Sequence, residues 1–260
     1  MASEKSLDPL GRFSNRVDDY VRYRPSYPKG LIAFLRAKAG LGPGAAVADI
    51  GSGTGIFTRL LLETGAGVLA VEPNDPMREA AEAALSDMPG FSSVKGTAER
   101  TGLAAHSVDL ITCAQAFHWF DLGPTRAEFS RIARPGGRCA LAWNAPITDD
   151  SDVARGFEGL KERFGTDFGA VRQRVEDAAS SYDSFFGPGA WTEHRFGNFQ
   201  DLDLAGIVGR FMSSSFAPPP GDPRVAPLRE ALRELFVRCQ VNGSVRMGYR
   251  TSLILGNLGG

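Results

Sequence analysis

The run Ala46-Val47-Ala48-Asp49-Ile50-Gly51-Ser52-Gly53-Thr54-Gly55-Ile56 constrains the chain more than any other stretch. A short apolar segment enters three glycines at alternate positions, and an amphipathic segment with Phe57, Leu60, Leu61 and Leu62 leaves them. The pattern predicts a strand, a tight loop and a helix. Glycine in such a loop accepts positive φ and lets a ligand approach bare backbone. The helix that follows aims its unpaired N–H groups at the same place.

The glycine spacing discriminates between cofactors. A dinucleotide fingerprint, G-x-G-x-x-G, rests a pyrophosphate on the helix N-terminus. Counted from Gly51 the third glycine falls on Ile56, and counted from Gly53 it falls on Thr58. What remains is D-x-G-x-G-x-G, from Asp49 to Gly55. It resembles the first motif of the class I S-adenosylmethionine-dependent methyltransferases. The resemblance implies S-adenosyl-L-methionine as cofactor, held by Asp49, Gly51, Ser52, Gly53, Thr54 and Gly55. A glycine-rich turn with no ligand is the competing reading.

Further along, Gly67-Val68-Leu69-Ala70-Val71-Glu72 reads as a second buried strand ending in an acid. Asp49 and Glu72 are 72 − 49 = 23 residues apart, close to the ~20 between a glycine loop and a ribose-binding carboxylate. Pro73 and Asn74 follow. Asp75-Pro76 looks like an N-cap with proline at the first helical position. Met77, on that first turn, packs either an adenine face or plain core. Phe91 to Lys95 is a weak third strand. In the resembled family the adenine amino group is read just after it, here at Thr97, Ala98 and Glu99. Ser107 to Cys113 is a strong fourth strand, opening onto Ala114-Gln115-Ala116-Phe117-His118-Trp119-Phe120. Arg138 to Asn144 is a fifth strand, beyond the turn Pro135-Gly136-Gly137. Strand and helix alternate with short loops, which predicts a parallel sheet with helices on both faces.

Residues 13 to 30 form an aromatic, Arg-Pro-rich arm that includes Phe13, Tyr20, Tyr23, Arg24, Pro25, Tyr27 and Pro28. The Arg24-Pro25 step ends any helix begun near Arg16. The arm resembles the Y-x-x-x-R-P-x-Y-P segment of a small-molecule methyltransferase group that includes trans-aconitate methyltransferase-like proteins. It is read as a lid placing Tyr20 and Arg24 near the methionine end of the cofactor, against the plainer reading of a packed surface arm. After strand five, apolar residues at helical spacing predict two helices over 153–182. Two more fall within 203–240, with a strand near 191–199 between the pairs. An alternating edge strand is expected at 244–251, followed by a floppy tail from Gly256. The expected fold is Rossmann-like α/β. It has a seven-stranded, mostly parallel sheet with helices on both faces and a helical cap inserted after strand five. It is read as one domain, with arm 1–28, cofactor core 29–146 and cap with final strands 147–260.

Composition bounds the partners. At 260 residues and a net charge of −1, no basic field advertises nucleic acid or anionic membrane. The three scattered cysteines include no C-x-x-C, so no metal site or disulfide framework is expected. The polar N-terminal residues lack an apolar signal core. A cytoplasmic protein acting on a small molecule is expected, as a monomer or homodimer.

Methyl transfer from a sulfonium is an in-line displacement, so a base is needed only for a protonated nucleophile. His118, just past strand four, is the candidate base, set against a structural histidine that shapes the pocket. Trp119 and Phe117 either stack on a ligand or belong to the core. His106 and His194 look structural. The run Ala114-Gln115-Ala116-Phe117 departs from the [DN]-P-P-[FYW] of amino-methylating enzymes, which argues against nucleic acid. Asn144 joins His118 in an expected enclosed acceptor pocket beneath the cap. The readings carried forward are three. They are a small-molecule O-methyltransferase, a non-catalytic S-adenosylmethionine-binding protein and a Rossmann oxidoreductase.

Overall fold

The computed structural model describes residues 16–258, so the first half of the expected arm, with Phe13, lies outside the described residues. In chain order the elements are α1 (Val17–Tyr23), α2 (Lys29–Ala39), β1 (Ala46–Ile50), α3 (Ile56–Leu62), β2 (Gly67–Val71), α4 (Asp75–Leu85), β3 (Phe91–Val94) and β4 (Val108–Ala114). A 3-10 turn (Phe117–Trp119) leads to α5 (Leu122–Ile132), β5 (Ala133–Pro146), α6 (Asp152–Phe164), α7 (Phe168–Ser180), α8 (Tyr182–Phe186), β6 (Trp191–Leu202), α9 (Leu204–Met212), α10 (Val225–Cys239) and β7 (Val245–Asn257).

The strands form one seven-stranded sheet in the order β3-β2-β1-β4-β5-β7-β6. The pairs β3–β2, β2–β1, β1–β4 and β4–β5 are parallel. The order reverses direction between β1 and β4, and open α/β sheets bind ligands at the carboxyl edge of such a switch.

Several expectations change. β7 lies between β5 and β6, so it is interior and β6 is the edge. Its alternating pattern reads as an edge because Arg246 and Arg250 face solvent in its first half. Its second half, Leu253-Ile254-Leu255, is buried throughout. The tail is held too: Asn257 N–H donates to the Ala190 carbonyl at 2.9 Å, and Leu258 is buried. Strand five starts at Ala133, five residues early, across a register irregularity opposite Val108 and Leu110. The segment 153–182 holds α6, α7 and the start of a third short helix, α8, rather than two helices. The N-cap of α4 is Asn74, one residue earlier than read, its Oδ1 accepting from Met77 N–H.

By its internal contacts the chain divides into two compact units. The sheet unit holds Ser26–Trp143, Val175–Phe196 and the described residues from Thr251. Alternation along its strands sorts their side chains onto two faces. Ala48, Ile50, Ile111, Cys113, Cys139, Leu141 and Ile254 pack with Phe129 and Ile132 of α5 and with Phe185 and Phe186 of α8. Val47, Val68, Leu110, Ala140, Ala142, Leu253 and Leu255 pack with Leu31 and Leu35 of α2 and with Phe57 and Leu61 of α3. Burial pushes the thiols of Cys113 and Cys139 up, which suits cysteines acting as small core residues.

The helical unit holds the described residues up to Pro25, with Asn144–Arg174 and Gly197–Arg250. Its core joins Val153 and Phe157 of α6, Ile207 and Phe211 of α9, Leu228 and Leu232 of α10, and Tyr249 of β7. Helix α1 is tied into it by Arg16, whose guanidinium donates to the carbonyls of Met212, Ser214 and Ala217. It ends at Arg24, as the following proline requires.

The close approach of α1 and α9 depends on Gly209. A Cβ there would stand 2.0 Å from Cδ2 of Tyr23. Gly209→Ala is expected to lower unfolding stability by about 1–3 kcal/mol, the usual cost of overpacking. A urea midpoint unchanged from wild type would contradict that packing.

Candidate functional site

The site is built at the carboxyl ends of β1, β2 and β4, within the sheet unit. The chain leaves β1 through Gly51, Gly53 and Gly55, all at positive φ (67°, 57° and 82°). Gly51 and Ser52 donate their N–H groups to the Val71 carbonyl, at 2.9 and 3.2 Å. The glycines are also required by space. A Cβ on Gly51 would lie 2.6 Å from Cβ of Ala116, and one on Gly55 would lie 2.5 Å from Cδ1 of Leu85.

Two buried carboxylates hold this loop. Asp49 is 1% exposed. Its Oδ2 accepts from the Thr58 hydroxyl of α3 at 2.6 Å, and its Oδ1 accepts from the Thr112 hydroxyl of β4 at 2.7 Å. Burial raises its carboxyl to about 6 against the opposing pull of the two threonines. Asp49 therefore braces the loop from behind. Glu72, at the end of β2, is also buried. Its Oε2 accepts from Gly53 N–H at 2.9 Å and its Oε1 from Asn74 N–H at 2.9 Å. Burial pushes its carboxyl up as well; the Asn74 and Gly53 N–H groups oppose this, and the Asp49 charge adds to it. Each carboxylate oxygen keeps acceptor capacity beyond its one backbone bond.

Around these the structure gathers most of the expected residues. Pro73 and Asn74 join Glu72 to α4. Met77 is buried against the loop, its methyl 3.4 Å from where a Gly53 Cβ would stand. Thr97 closes a tight turn with Arg100, Ala98 is buried within it, and Glu99 Oε1 accepts from Asp121 N–H at the start of α5. Ala114 ends β4. Gln115 then adopts φ 62° while its N–H donates to the Ala142 carbonyl. A non-glycine residue in that region is a mark of strain, often at functional positions. Among the described residues, the Ser52 and Thr54 hydroxyls are buried with no hydrogen-bond partner. Two orphaned hydroxyls in one glycine loop fit a polar ligand resting on it.

His118 sits in the 3-10 turn after β4. Its ring lies 4.5 Å from that of Trp119, tilted, and 5.0 Å from that of Trp143, edge to face. Trp143, near the carboxyl end of β5, was not singled out from the sequence, and neither was Phe120, which backs Gly51. Their only signal was an aromatic closing or following an apolar strand. His106 Nδ1 meets the Ala133 carbonyl at 2.9 Å, and the His194 ring lies against Phe34. Both serve the framework.

Tyr20 and Arg24 belong to the other unit. Arg24 lies over the Tyr20 ring at 4.7 Å and donates through Nη2 to the Ser213 carbonyl at 2.7 Å. Asn144, also in the helical unit, accepts from Asn198 Nδ2 at 3.3 Å. Among the described residues no group of His, Cys, Asp and Glu is placed to hold a metal. Nor is any helix there long and apolar enough to cross a membrane.

Residues 48–141 match a family described as a methyltransferase domain. An uncharacterized methyltransferase of Mycobacterium tuberculosis is 41% identical over 165 residues, and the match covers 63% of each chain. The chain thus spans 63% of that relative's length. An uncharacterized methyltransferase of Geobacillus sp. is 32% identical over 167 residues, covering 59% of this chain and 75% of the relative. Among solved structures, a candidate type II methyltransferase from Anaeromyxobacter dehalogenans superposes with a TM-score of 0.66 at 25% identity. That match covers 91% of this chain and 98% of the other.

The raised Asp49 carboxyl makes stability depend on pH. Its folded value of about 6 lies above the ordinary value of 3.8, so the native state holds the proton more tightly than the unfolded chain. The associated stability is present at pH values below the unfolded value and is lost as pH rises through about 6. Relative to Asp49→Asn, the wild type should lose on the order of 2–3 kcal/mol between pH 4 and pH 7. Parallel stability curves for the two proteins across that range would refute the buried, proton-holding Asp49.

Proposed function

Since this chain belongs to the class I S-adenosylmethionine-dependent methyltransferase family, we propose that it transfers a methyl group to an oxygen of a small organic acceptor, a carboxylate or a hydroxyl. The observation that carries the reading is the Glu72 carboxylate bonded to the N–H of Gly53 at the mouth of the β1 loop. Its free lone pairs suit two adjacent ribose hydroxyls. The missing third glycine of the dinucleotide pattern argues against a pyrophosphate in the same loop.

The bound donor supplies a methyl on a positively charged sulfur that is already a good leaving group. The chain's part is to hold and to exclude water. Glu72 takes the ribose, the Met77 side chain offers an apolar surface to the base, and the Ser52 and Thr54 hydroxyls meet the polar methionine end. Pro73, Asn74 and Thr97 to Glu99 shape the nucleoside end, and Ala114, Gln115, Ala116 and Trp119 complete the set of residues that hold the cofactor. His118, held between two indole rings, accepts the proton of a hydroxyl acceptor; a carboxylate acceptor needs no base. The near-neutral net charge supports a small molecule over nucleic acid.

Calorimetry should show heat with S-adenosylhomocysteine and none with NAD, and Glu72→Gln should lose about 1.5–3 kcal/mol of that binding. Absence of heat with the sulfur nucleoside would end the proposal. Binding with no turnover across an acceptor panel would leave a binding protein instead. His118→Ala should cut kcat on a hydroxyl acceptor by about a hundredfold, leave donor affinity nearly unchanged and spare a carboxylate acceptor. A variant that loses donor affinity rather than rate would remove His118 from the role of base.

A further inference from the structure

The aromatic rings near the carboxyl edge of the sheet do not all serve the same purpose. Phe117 is 6% exposed and packs edge to face with Phe185 at 4.9 Å, inside the core shared with α5 and α8. Phe120 packs against that core too, and its ring stands 3.5 Å from where a Gly51 Cβ would be. Trp191 also joins it and donates through Nε1 to Asp183 Oδ1 at 2.8 Å. Trp119 and Trp143 stand apart. Both are half-buried, and among the described residues neither packs into any of the three apolar cores.

The place of Trp143 is specific. Ala114 with Ala142 is the last residue pair of β4 with β5. Trp143 comes one residue beyond it, at the edge where open α/β sheets bind ligands. Side chains alternate along a strand, which gives Trp143 the same face as Leu141 and Cys139. Those two residues enter the core and Trp143 does not. Its ring instead meets that of His118, with centroids 5.0 Å apart and planes at 88°. Trp119 stands 4.5 Å from the same imidazole at 42°. These rings and the glycine loop all belong to the sheet unit. An indole is the largest apolar side chain, and one left outside every core leaves stabilising burial unmade. At a ligand-binding edge, a ligand ring completes that burial.

The chemistry of the indole face narrows the occupant. Its negative potential repels a carboxylate and attracts a cation. A cationic acceptor would have to sit beside the donor's own positive sulfur, and like charges repel. A neutral aromatic ring meets neither objection. It packs on Trp143 in the offset or edge-to-face geometries that hold ring centroids about 4.5–7 Å apart. A hydroxyl on such a ring is a phenol, whose pKa of about 10 puts its proton within reach of a neighbouring imidazole.

We propose that Trp143 is the specificity-determining residue for the acceptor, holding the flat ring of a phenol against its indole with the hydroxyl toward His118. This narrows a carboxylate or hydroxyl acceptor to an aromatic hydroxyl. That the bound phenol is methylated rests on the methyltransferase reading; its binding at Trp143 does not.

The test is calorimetry on the full chain, with and without saturating S-adenosylhomocysteine. The probes are naphthol, its saturated counterpart decahydronaphthol, naphthoate and tetramethylammonium. Naphthol should bind at least about tenfold more tightly than each of the other three. In Trp143→Leu the preference for naphthol over decahydronaphthol should shrink to about threefold or less, while S-adenosylhomocysteine affinity stays within about twofold. Where Trp143→Leu fails to fold, Trp143→Phe, which keeps a smaller ring, should still weaken naphthol by about threefold. Equal binding of naphthol and decahydronaphthol to the wild type overturns the site, and so does a preference that survives in the variants. Tighter binding of naphthoate or tetramethylammonium overturns the phenol assignment. Failure of the wild type to bind S-adenosylhomocysteine, or naphthol bound without being methylated, counts against the methyltransferase reading and leaves the naphthol titrations to decide this site.

Discussion

A single buried carboxylate ties the glycine loop to the sheet that presents it. Asp49 reaches Thr58 on the helix after the loop and Thr112 on the neighbouring strand. The loop between them has to reverse through three left-handed residues, a backbone with little preference of its own. Its shape is therefore imposed from both ends. The first end is the Asp49 clamp beneath it. The second is the pair of N–H bonds from Gly51 and Ser52 to the end of β2. Removing either leaves the loop's N–H groups without a fixed direction.

The same carboxylate colours the electrostatics. Asp49 adds to the upward push on Glu72, so two acids share one water-poor corner. Such a corner favours a ligand that brings positive charge and is less welcoming to the same ligand once that charge is gone. On the proposed reading this helps discharge the product. On that reading the loop selects by charge as well as by shape.

The β1-to-β5 core was legible because its signals are local. Apolar runs of five to seven residues, glycines at fixed offsets and the acid at Glu72 each speak within a short window. Most of the residues gathered at the glycine loop, Gly51 to Gly55, Glu72, Asn74, Met77 and Ala116, carry such local signals. The rest is non-local. Nothing near Val245 says that β7 inserts beside β5, because strand order is decided by pairing partners a hundred residues apart. Thr58 and Thr112 look like ordinary core threonines until the fold brings both to Asp49. Trp143 reads as strand until His118 is seen against it. Arg16 and Arg210 are both buried, Arg16 by donating to the carbonyls of Met212, Ser214 and Ala217 and Arg210 by donating to the Tyr249 hydroxyl, partners that no local window shows.

The place of β7 carries a consequence for how the chain is made. It is the last strand among the described residues, yet it lies between two strands already present, β5 and β6. A growing chain that has completed β6 holds two sheet edges with unpaired N–H and C=O groups. Neither can be closed until residues 245–257 arrive. Long-range closure of this kind is slow, and open edges meanwhile invite pairing with other chains. Until β7 pairs with both neighbours, the sheet carries an open seam between β5 and β6. A chain lacking residues 245–257 would keep both of those edges open, and open edges invite pairing with other chains.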